Sequence, residues 1–340
     1  MTAVCAPERQ ALQQPLPGRL LHPLREHAPR WIAVLDPPGQ AARWRQALRP
    51  LLPHWHLADP GDTDMLAQSK VLLTGCPSPS LLATLPRLQV VQVLGGGAEA
   101  VLRARLPATV RIARTCGAHQ VRQTVEYALT AVMNYHRGFD VYAAQQPQQC
   151  WRPLPVRTAD ERRVGVMGLG RLGSAVALQL AQLGFRVRGW SRNEHPLRGV
   201  DTFHGPAGLE PFLMANEILV CLLPLTEQTR GLLSRHVFDA LPPGARLVHM
   251  GSHRQCQPHD LLAALNDGRL AHATLDDAEA HDDHGLQDLQ PLRQHPRVTI
   301  TPNVASRLRP ETGAALVARN LHRWTRNEAL LDVVDRDRGY

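Results

Sequence analysis

The sequence predicts an α/β protein in which parallel strands alternate with helices in doubly wound layers. Short apolar runs recur along the chain, and glycine or proline closes each run before the next helical pattern begins. A glycine motif of the form GxGxxG, from Gly168 to Gly173, joins one such run to a helix. The 340 residues are enough for about two domains of about 150 residues each.

The first strands are predicted in the N-terminal third of the chain. Residues 1–30 are rich in proline and arginine and show no clear period, which predicts a loosely packed extension. Trp31–Leu35 is an apolar run that ends at a Pro-Pro-Gly turn, so it predicts a buried strand. Val71–Leu73 and Val90–Leu94 predict two further strands, and the glycine turn 95–97 follows the second.

A long helix and a surface connection are predicted next. Between Gln120 and about Tyr142, apolar residues recur at helical spacing, as at Val121, Val125, Ala128, Leu129 and Val132. The stretch Gln145–Pro155 is rich in glutamine and proline, which is typical of an exposed connection.

Composition bounds the kinds of partner. The chain has 38 Lys and Arg against 30 Asp and Glu, a net charge of +8, and Lys70 is its single lysine. The arginines are spread along the chain and form no basic block, so the charge indicates compositional bias and no nucleic-acid partner is predicted. No apolar run approaches the roughly 18 residues of a membrane span, and the N-terminus lacks the apolar core of a secretory signal. The 6 cysteines show no CxxC pair, which favours a reducing, cytoplasmic location.

The glycine motif carries the strongest functional signal. A strand-like run, Val164–Met167, leads into Gly168, Leu169, Gly170, Arg171, Leu172 and Gly173. The helix Ser174–Leu183 and a second strand, Phe185–Trp190, complete a βαβ unit. In such a unit the first glycine permits the tight turn, the second lets the backbone approach a pyrophosphate, and the third lets helix and strand pack closely. Free backbone N–H groups at the helix N-terminus favour the phosphates.

The residues after the second strand bear on the choice of cofactor. A site selective for NAD usually places an acidic residue there, on the ribose 2′-hydroxyl. This chain has Ser191, Arg192 and Asn193, whose hydroxyl, guanidinium and amide suit a 2′-phosphate. NADP(H) is therefore favoured over NAD(H), while Glu194, one position further, keeps NAD(H) as an alternative.

From about residue 31 to its end, the sequence resembles the D-isomer-specific 2-hydroxyacid dehydrogenases, most closely their glyoxylate/hydroxypyruvate reductase A branch. The stretches that carry the resemblance are Leu94–Gly97, Glu126–Leu129, Trp190–Arg192, Leu222–Thr226, Asp260–Leu265, His295–Pro302 and Val334–Tyr340.

The resemblance implies the domain organisation. It implies two Rossmann-like, doubly wound domains, of which the flavodoxin-like substrate domain comprises residues 31–118 and 309–340. A dinucleotide-binding domain, 119–308, is inserted into it. The resemblance also implies a homodimer, a small 2-oxoacid substrate, and hydride transfer from the nicotinamide cofactor to the substrate carbonyl.

The three positions of the family's catalytic triad are all substituted. The family's arginine, which holds the substrate carboxylate, falls at Ser252, eight residues before Asp260. Its glutamate, which orients the acid–base histidine, falls at His281, and that histidine falls at Asn303 after Thr301-Pro302. The sequence therefore predicts a reductase that is weak or altered in activity, or a non-catalytic NADP(H)-binding scaffold or sensor.

Three nearby side chains could compensate. Arg254 lies two residues past Ser252, and on an extended segment it shares that residue's face at a distance of about 6–7 Å. His281 is itself a possible proton donor, with Glu279 or Asp282 as its partner. Asn303 can hydrogen-bond a carbonyl but supplies no proton.

The resemblance places further contacts around the predicted cofactor and substrate. Gly96 and Gly97 offer backbone N–H groups to a substrate carboxylate, and Asp276 is expected near the nicotinamide carboxamide. Leu223, Pro224, Thr229 and Gly251 are expected beside the cofactor, although capping of a helix explains Thr229 equally well. The histidines between His281 and His284 lack a third ligand at a fixed spacing, so no metal site is predicted.

Overall fold

Two parallel sheets, both flanked by helices, organise the chain. The computed structural model describes residues 30–34, 38–276 and 289–340. The N-terminal extension up to residue 29, and His281 with its neighbours, lie outside the described residues.

The first sheet has five parallel strands in the order β2-β1-β3-β4-β5. This is the flavodoxin-like order, which places the point where the order reverses between β1 and β3. The strands are β1 (Arg30–Val34), β2 (Trp55–Ala58), β3 (Val71–Thr74), β4 (Val90–Val93) and β5 (Arg111–Arg114). The helices between them are α1 (Pro38–Leu48), α2 (Thr63–Gln68), α3 (Pro79–Ala83) and α4 (Glu99–Arg103).

The last helix of the chain returns to this first sheet. The helix α12 (Pro310–Thr325) buries Val317 and Leu321 in one apolar cluster with Trp44 and Leu48 of α1. The segment after it pairs with β5, because the backbone N–H of Val334 donates to the carbonyl of Ile112 at 2.8 Å. Both chain ends thus contribute to one layer. The domain limits at residues 119 and 308 stay a prediction.

The second sheet has seven parallel strands in the order β12-β11-β10-β9-β6-β7-β8. Counted from β6, the first six strands have the order 3-2-1-4-5-6 of dinucleotide-binding folds. The strands are β6 (Arg163–Met167), β7 (Arg186–Ser191), β8 (Asp201–His204), β9 (Ile218–Cys221), β10 (Ala245–His249), β11 (Leu270–Asp276) and β12 (Val298–Thr301). The helices are α7 (Arg171–Gln182), α8 (Leu209–Leu213), α9 (Arg235–Ala240), α10 (Pro258–Asn266) and α11, described over 289–293.

The connection between the two sheets differs from the sequence prediction. The predicted single helix from Gln120 to about Tyr142 is wrong only in its last part: α5 (Ala118–His136) ends, and α6 (Phe139–Gln145) begins after a break. The break is at Gly138, whose φ of 69° is in the left-handed region that glycine tolerates. A Cβ at this position would also collide with Leu154, so the turn packs tightly against the connection that follows.

The predicted strands agree with the structure within one residue at each end, and the predicted α/β class is confirmed. Continuous burial explains this agreement, since all residues of β3 and β4 are buried and form largely apolar runs visible in the sequence. None of the described helices has both the length and the apolar character that crossing a bilayer requires.

A cluster of charges joins the N-terminal ends of β6 and β9. The carboxylate of Glu217 accepts hydrogen bonds from Arg157 at 2.5 Å and from Arg162 at 2.9 Å. Partial burial acts to raise the pKa of Glu217, but the Arg157 hydrogen bond, the backbone N–H of Arg163 and the two guanidinium charges outweigh it. The pKa of this carboxyl therefore lies below its usual value.

A group with a depressed pKa stabilises the fold above its unfolded pKa and loses that contribution as the pH falls through its folded pKa. We expect Glu217→Gln to lower the free energy of unfolding by about 1 kcal/mol at pH 7. The difference from the native chain should shrink as the pH falls below about 4.3. Thermal melts between pH 7 and pH 3 test this, with Glu227→Gln, whose side chain is 90% exposed, as the matched control. A destabilisation that does not change with pH would contradict the assignment.

Candidate functional site

The candidate site lies at the carboxyl ends of the second sheet, where the strand order reverses between β6 and β9. In open α/β sheets this reversal leaves a crevice in which ligands bind. The loop after β6 carries the glycine motif, and the loops after β7 and β9 flank it on either side.

A different physical constraint acts at each glycine of the motif. Gly168 has a φ of 102°, and a Cβ there would lie 3.1 Å from the carbonyl of Leu222. A Cβ on Gly173 would collide with the carbonyl oxygen of Gly168, so α7 can begin this close to the turn only with glycine at that position. A Cβ on Gly170 would meet no atom within 4 Å, and its φ of −72° is open to any residue.

No neighbouring atom requires glycine at position 170, although glycine is also favoured over alanine at the N-cap that Gly170 forms for α7. The open space beside it lies at the N-terminus of α7, where backbone N–H groups are unpaired by the helix. This is where the pyrophosphate of a dinucleotide approaches the backbone, so the residues present fit such a cofactor.

The other members of the motif support the loop in different ways. Leu169 is buried beneath Gly189, where a Cβ would lie 2.8 Å from its side chain, so Leu169 can offer a ligand only its backbone. Arg171 begins α7, and its guanidinium pairs with the carboxylate of Asp332 at 3.3 Å. Leu172 follows it, half-buried. The cofactor contacts of Arg171 and Leu172 stay predictions.

The end of β7 presents one cation. The hydroxyl of Ser191 donates to the carbonyl of Asn193 at 2.7 Å, which closes a short turn. Arg192 is exposed, and its guanidinium donates to the phenol oxygen of Tyr340 at 2.6 Å. Glu194 is also exposed. The charge at the position expected to meet the 2′-substituent of the ribose is therefore positive.

The loop after β9 is fixed by side chains from two directions. The buried amide of Gln255 donates to the carbonyls of Leu223 at 3.1 Å and Pro224 at 3.0 Å. The hydroxyl of Thr229 donates to the carbonyl of Pro224 at 2.7 Å and accepts from the backbone of Thr226 at 2.8 Å. Thr229 thus stabilises a turn, and the alternative that it caps a helix is wrong.

Ser252 is the N-cap of a 3₁₀ turn. Its hydroxyl accepts from the backbone N–H of Arg254 at 3.3 Å, and its carbonyl oxygen lies 2.9 Å from the ring of His249. The expectation of an extended segment from Ser252 to Arg254 is wrong, because residues 253–255 form that turn. At Gly251 a Cβ would collide with the amide oxygen of Gln255, so the chain needs glycine there to turn this closely.

Asp276 holds the loop that carries Asn303. One carboxylate oxygen accepts from the hydroxyl of Thr301 at 2.6 Å and the backbone of Val304 at 2.8 Å, and the other accepts from the backbone of Ala305 at 2.8 Å. Asn303 is exposed at a φ of 51°, so this loop is tightly turned. Whether Asp276 also contacts a nicotinamide is not tested by these contacts, and the assignment stays a prediction.

Tyr127 extends this network from α5. Its phenol lies 2.7 Å from the hydroxyl of Thr301, which in turn donates to Asp276. Burial is the main cause that raises the pKa of Tyr127; the Asp276 carboxylate adds to the rise and the Thr301 hydrogen bond opposes it. Tyr127 therefore stays a neutral phenol. Tyr127 is not among the predicted site residues, although it lies in Glu126–Leu129, one of the stretches that carry the resemblance.

The two predicted triad positions in the described part of the chain, Ser252 and Asn303, lie at one edge of the sheet. β10, β11 and β12 are neighbours in register, so the turn at Ser252 and the loop at Asn303 both leave the carboxyl edge. A small cavity lies beside the ends of β10 and β11. Its lining is largely apolar and consists of His249, Gly251, His253, Cys256, Pro258, Leu275, Asp276, Leu289 and Leu292.

The first sheet contributes the glycine turn after β4. A Cβ on Gly95 or Gly96 would meet no atom within 4 Å, whereas one on Gly97 would clash with Glu99. The guanidinium of Arg114, at the end of β5, donates to the carbonyl of Gly96 at 3.4 Å. Open space beside Gly96 is compatible with a small anion at this turn, and the roles of Gly96 and Gly97 stay predictions.

Two coupled doubly wound sheets with a dinucleotide cradle at the reversal point define a nicotinamide-dependent dehydrogenase fold. Residues 129–305 match the family described as D-isomer specific 2-hydroxyacid dehydrogenase, NAD binding domain. The chain belongs to the D-isomer-specific 2-hydroxyacid dehydrogenase family.

Individual relatives cover nearly the whole chain. The glyoxylate/hydroxypyruvate reductase A of Salmonella paratyphi C is 36% identical over 320 residues, which are 91% of this chain and 99% of the relative. A family member from Xanthobacter autotrophicus, solved with NADPH and MES, superposes with a TM-score of 0.84 at 33% identity, covering 92% of this chain and 100% of that one. The NADPH-dependent glyoxylate/hydroxypyruvate reductase of Sinorhizobium meliloti, solved with NADP and sulfate, has a TM-score of 0.82 at 28% identity over the same shares.

The glycine motif gives a matched pair of variants. Gly170→Ala should lower the melting temperature of the free protein only slightly, since its Cβ enters open space and only the N-cap preference for glycine is lost, but should weaken NAD(P)H binding at least about tenfold. Gly173→Ala should lower the free energy of unfolding by about 2 kcal/mol or more, because its Cβ collides with backbone. Thermal melts and fluorescence titration separate the two effects. A Gly170→Ala variant that is destabilised as much as Gly173→Ala, or one that binds NAD(P)H normally, would contradict the assignment.

Proposed function

We propose that this protein is an NADP(H)-dependent reductase of small 2-oxoacids such as glyoxylate or hydroxypyruvate, with weakened or altered catalysis. The observation that carries the proposal is the cradle at Gly170, which is open to a ligand and is bordered by the exposed cation Arg192.

The preference for NADP(H) over NAD(H) rests on charge. Arg192 follows β7, where the ribose 2′-substituent is expected, and a guanidinium there favours a 2′-phosphate over a 2′-hydroxyl. The solved relatives that contain NADPH or NADP support the same choice. Glu194 lies further along the same exposed turn.

The proposed chemistry is reduction of a 2-oxoacid carbonyl to a hydroxyl. The bound cofactor supplies a hydride to the carbonyl carbon. The protein must hold the substrate carboxylate, stabilise the developing alkoxide and deliver a proton to it. The open turn at Gly96 offers backbone N–H groups for the first task. Asn303 can donate a hydrogen bond to the carbonyl oxygen for the second.

Neither described residue at the triad positions, Ser252 or Asn303, is suited to deliver a proton to the alkoxide. The hydroxyl of Ser252 caps its own turn, and an asparagine amide at position 303 releases no proton. Loss of a general acid costs about 10²–10⁴ in rate, and loss of a fixed charge at an oxyanion costs about 10²–10³. These losses do not multiply, because triad members act together. We therefore expect slow turnover with an intact cofactor site.

A second candidate function is a non-catalytic NADP(H)-binding scaffold or sensor. The observation that favours it is that the side chains of Ser252 and Asp276 already accept hydrogen bonds from the backbone of a turn and of a loop. On this hypothesis the protein binds the cofactor tightly and turns over no 2-oxoacid.

Restoring the family residues distinguishes the two functions. We expect the native chain to oxidise NADPH slowly with glyoxylate or hydroxypyruvate, and the triple variant Ser252→Arg, His281→Glu, Asn303→His to do so about 10²-fold faster or more. Absorbance of NADPH is the measurement, and Asn303→Ala is the control for a general effect of the loop. Tight NADPH binding with no native turnover would support the non-catalytic function, and rapid native turnover would contradict weakened catalysis.

We also propose that the protein forms a homodimer through the surface after α5. Here Phe139 of α6 and, in the connection that follows, Trp151 and Val156 expose large apolar side chains, Trp151 to 99%. The backbone of Leu154 donates to the phenol of Tyr142 at 3.0 Å, which holds the connection against α6. An ordered apolar surface of this kind is typical of protein–protein contacts.

The dimer has its own test. The double variant Phe139→Glu, Trp151→Glu should convert a dimer to a monomer in sedimentation equilibrium, because it places charges at the centre of the proposed contact. Met214→Glu is the control, since Met214 is 64% exposed at the end of α8. A native chain that sediments as a monomer, or a double variant that stays dimeric, would contradict the proposal.

A further inference from the structure

A tyrosine from the far end of the chain contacts the cation that follows β7. The phenol oxygen of Tyr340 accepts a hydrogen bond from Arg192 at 2.6 Å, and the guanidinium carbon lies 5.2 Å from the centre of the ring. Tyr340 lies in the terminal stretch Val334–Tyr340 that carries part of the family resemblance.

The segment that carries Tyr340 is held in place by the first sheet and by its own turn. Arg336 donates to the carbonyls of Leu106 at 2.7 Å and Pro107 at 3.0 Å. Asp335 closes a compact turn, because its carboxylate accepts from the backbone of Asp337 and of Arg338, each at 3.0 Å. Tyr340 therefore reaches Arg192 from a fixed base.

This segment meets both walls of the crevice. At Gly339, a Cβ would lie 3.3 Å from the methyl group of Thr226, in the loop after β9. The next residue, Tyr340, contacts Arg192 after β7. Since β6 lies between β9 and β7 in the sheet, residues 339 and 340 join the two loops that flank the glycine motif.

We propose that Tyr340 completes the 2′-phosphate site with Arg192. The ring and the phenol oxygen hold the guanidinium, which keeps its other N–H donors for a phosphate. The phenol oxygen accepts from Arg192, so its own proton is available to donate to a phosphate oxygen. This inference rests on the proposed preference for NADP(H). It gives Tyr340 two roles: it contacts the 2′-phosphate itself, and it positions Arg192 to do so.

The chemistry predicts an effect on selectivity. A 2′-phosphate presents anionic acceptors to both donors, whereas the 2′-hydroxyl of NADH presents one neutral group. Hydrogen bonds to a charged partner are the stronger ones. Removal of the phenol oxygen should therefore weaken NADPH binding and leave NADH binding unchanged.

The test is cofactor binding, measured by fluorescence titration of the full chain without substrate. Tyr340→Phe keeps the ring and removes the hydroxyl, and we expect it to raise the Kd for NADPH about tenfold while the Kd for NADH changes less than about twofold. Arg192→Ala should abolish the preference for NADPH. Adding Tyr340→Phe to Arg192→Ala should then have a smaller effect than in the native chain, since part of the role of Tyr340 acts through Arg192.

Tyr142→Phe is the matched control, because it removes a phenol that accepts a backbone hydrogen bond away from the crevice. A Tyr340→Phe variant that weakens NADPH and NADH equally, or neither, overturns the inference. If the native chain binds NADH as tightly as NADPH, the proposed cofactor preference is wrong, and the role of Tyr340 at a 2′-phosphate is wrong too. If the native chain prefers NADPH, only the Tyr340 variant decides the role of Tyr340. Thermal melts of each variant show that the fold is intact.

Discussion

The approach of α7 to the turn after β6 is the constraint on which the cofactor site depends. Gly173 lies against the carbonyl oxygen of Gly168 with no room for a side chain. This contact sets the height of the helix N-terminus above the sheet, and so the position of its N–H groups. Gly168 and Gly173 are required by close contacts within the fold, whereas the open space beside Gly170 points to a ligand.

At the carboxyl ends of β10 to β12, the polar side chains bond mainly to the backbone of neighbouring loops. Asp276 uses both carboxylate oxygens to fix the loop of Asn303, and Ser252 uses its hydroxyl to cap a turn. Polar groups at the carboxyl edge are therefore engaged in holding backbone. The cofactor side, by contrast, leaves Gly170 and Arg192 open to solvent. The residues proposed to bind the cofactor follow β6 and β7, whereas the predicted triad positions 252 and 303 follow β10 and β12, so the two sets lie on different loops of the same edge.

Much of the fold follows from local patterns, whereas the site follows only in part. Strands such as β3 and β4 are buried throughout, so their apolar runs predict them directly. The break at Gly138 was missed because apolar spacing continues across it, and the left-handed turn depends on packing against Leu154. The 3₁₀ turn after Ser252 was missed because it depends on the cap that the Ser252 hydroxyl supplies to Arg254, which residue spacing does not indicate. The contact between Tyr340 and Arg192 joins residues 148 positions apart, which no local pattern can indicate.

The pair formed by Arg171 and Asp332 joins the start of α7 to the segment beside β5. Both side chains are about half exposed, at 52% and 40%, and the two charges are 3.3 Å apart. Ion pairs in such surroundings contribute little and are screened by salt within a Debye length of about 8–10 Å. The interior of each sheet layer is apolar and does not depend on ionic strength in this way. Added salt should therefore loosen this link between the two layers before it affects the layers themselves.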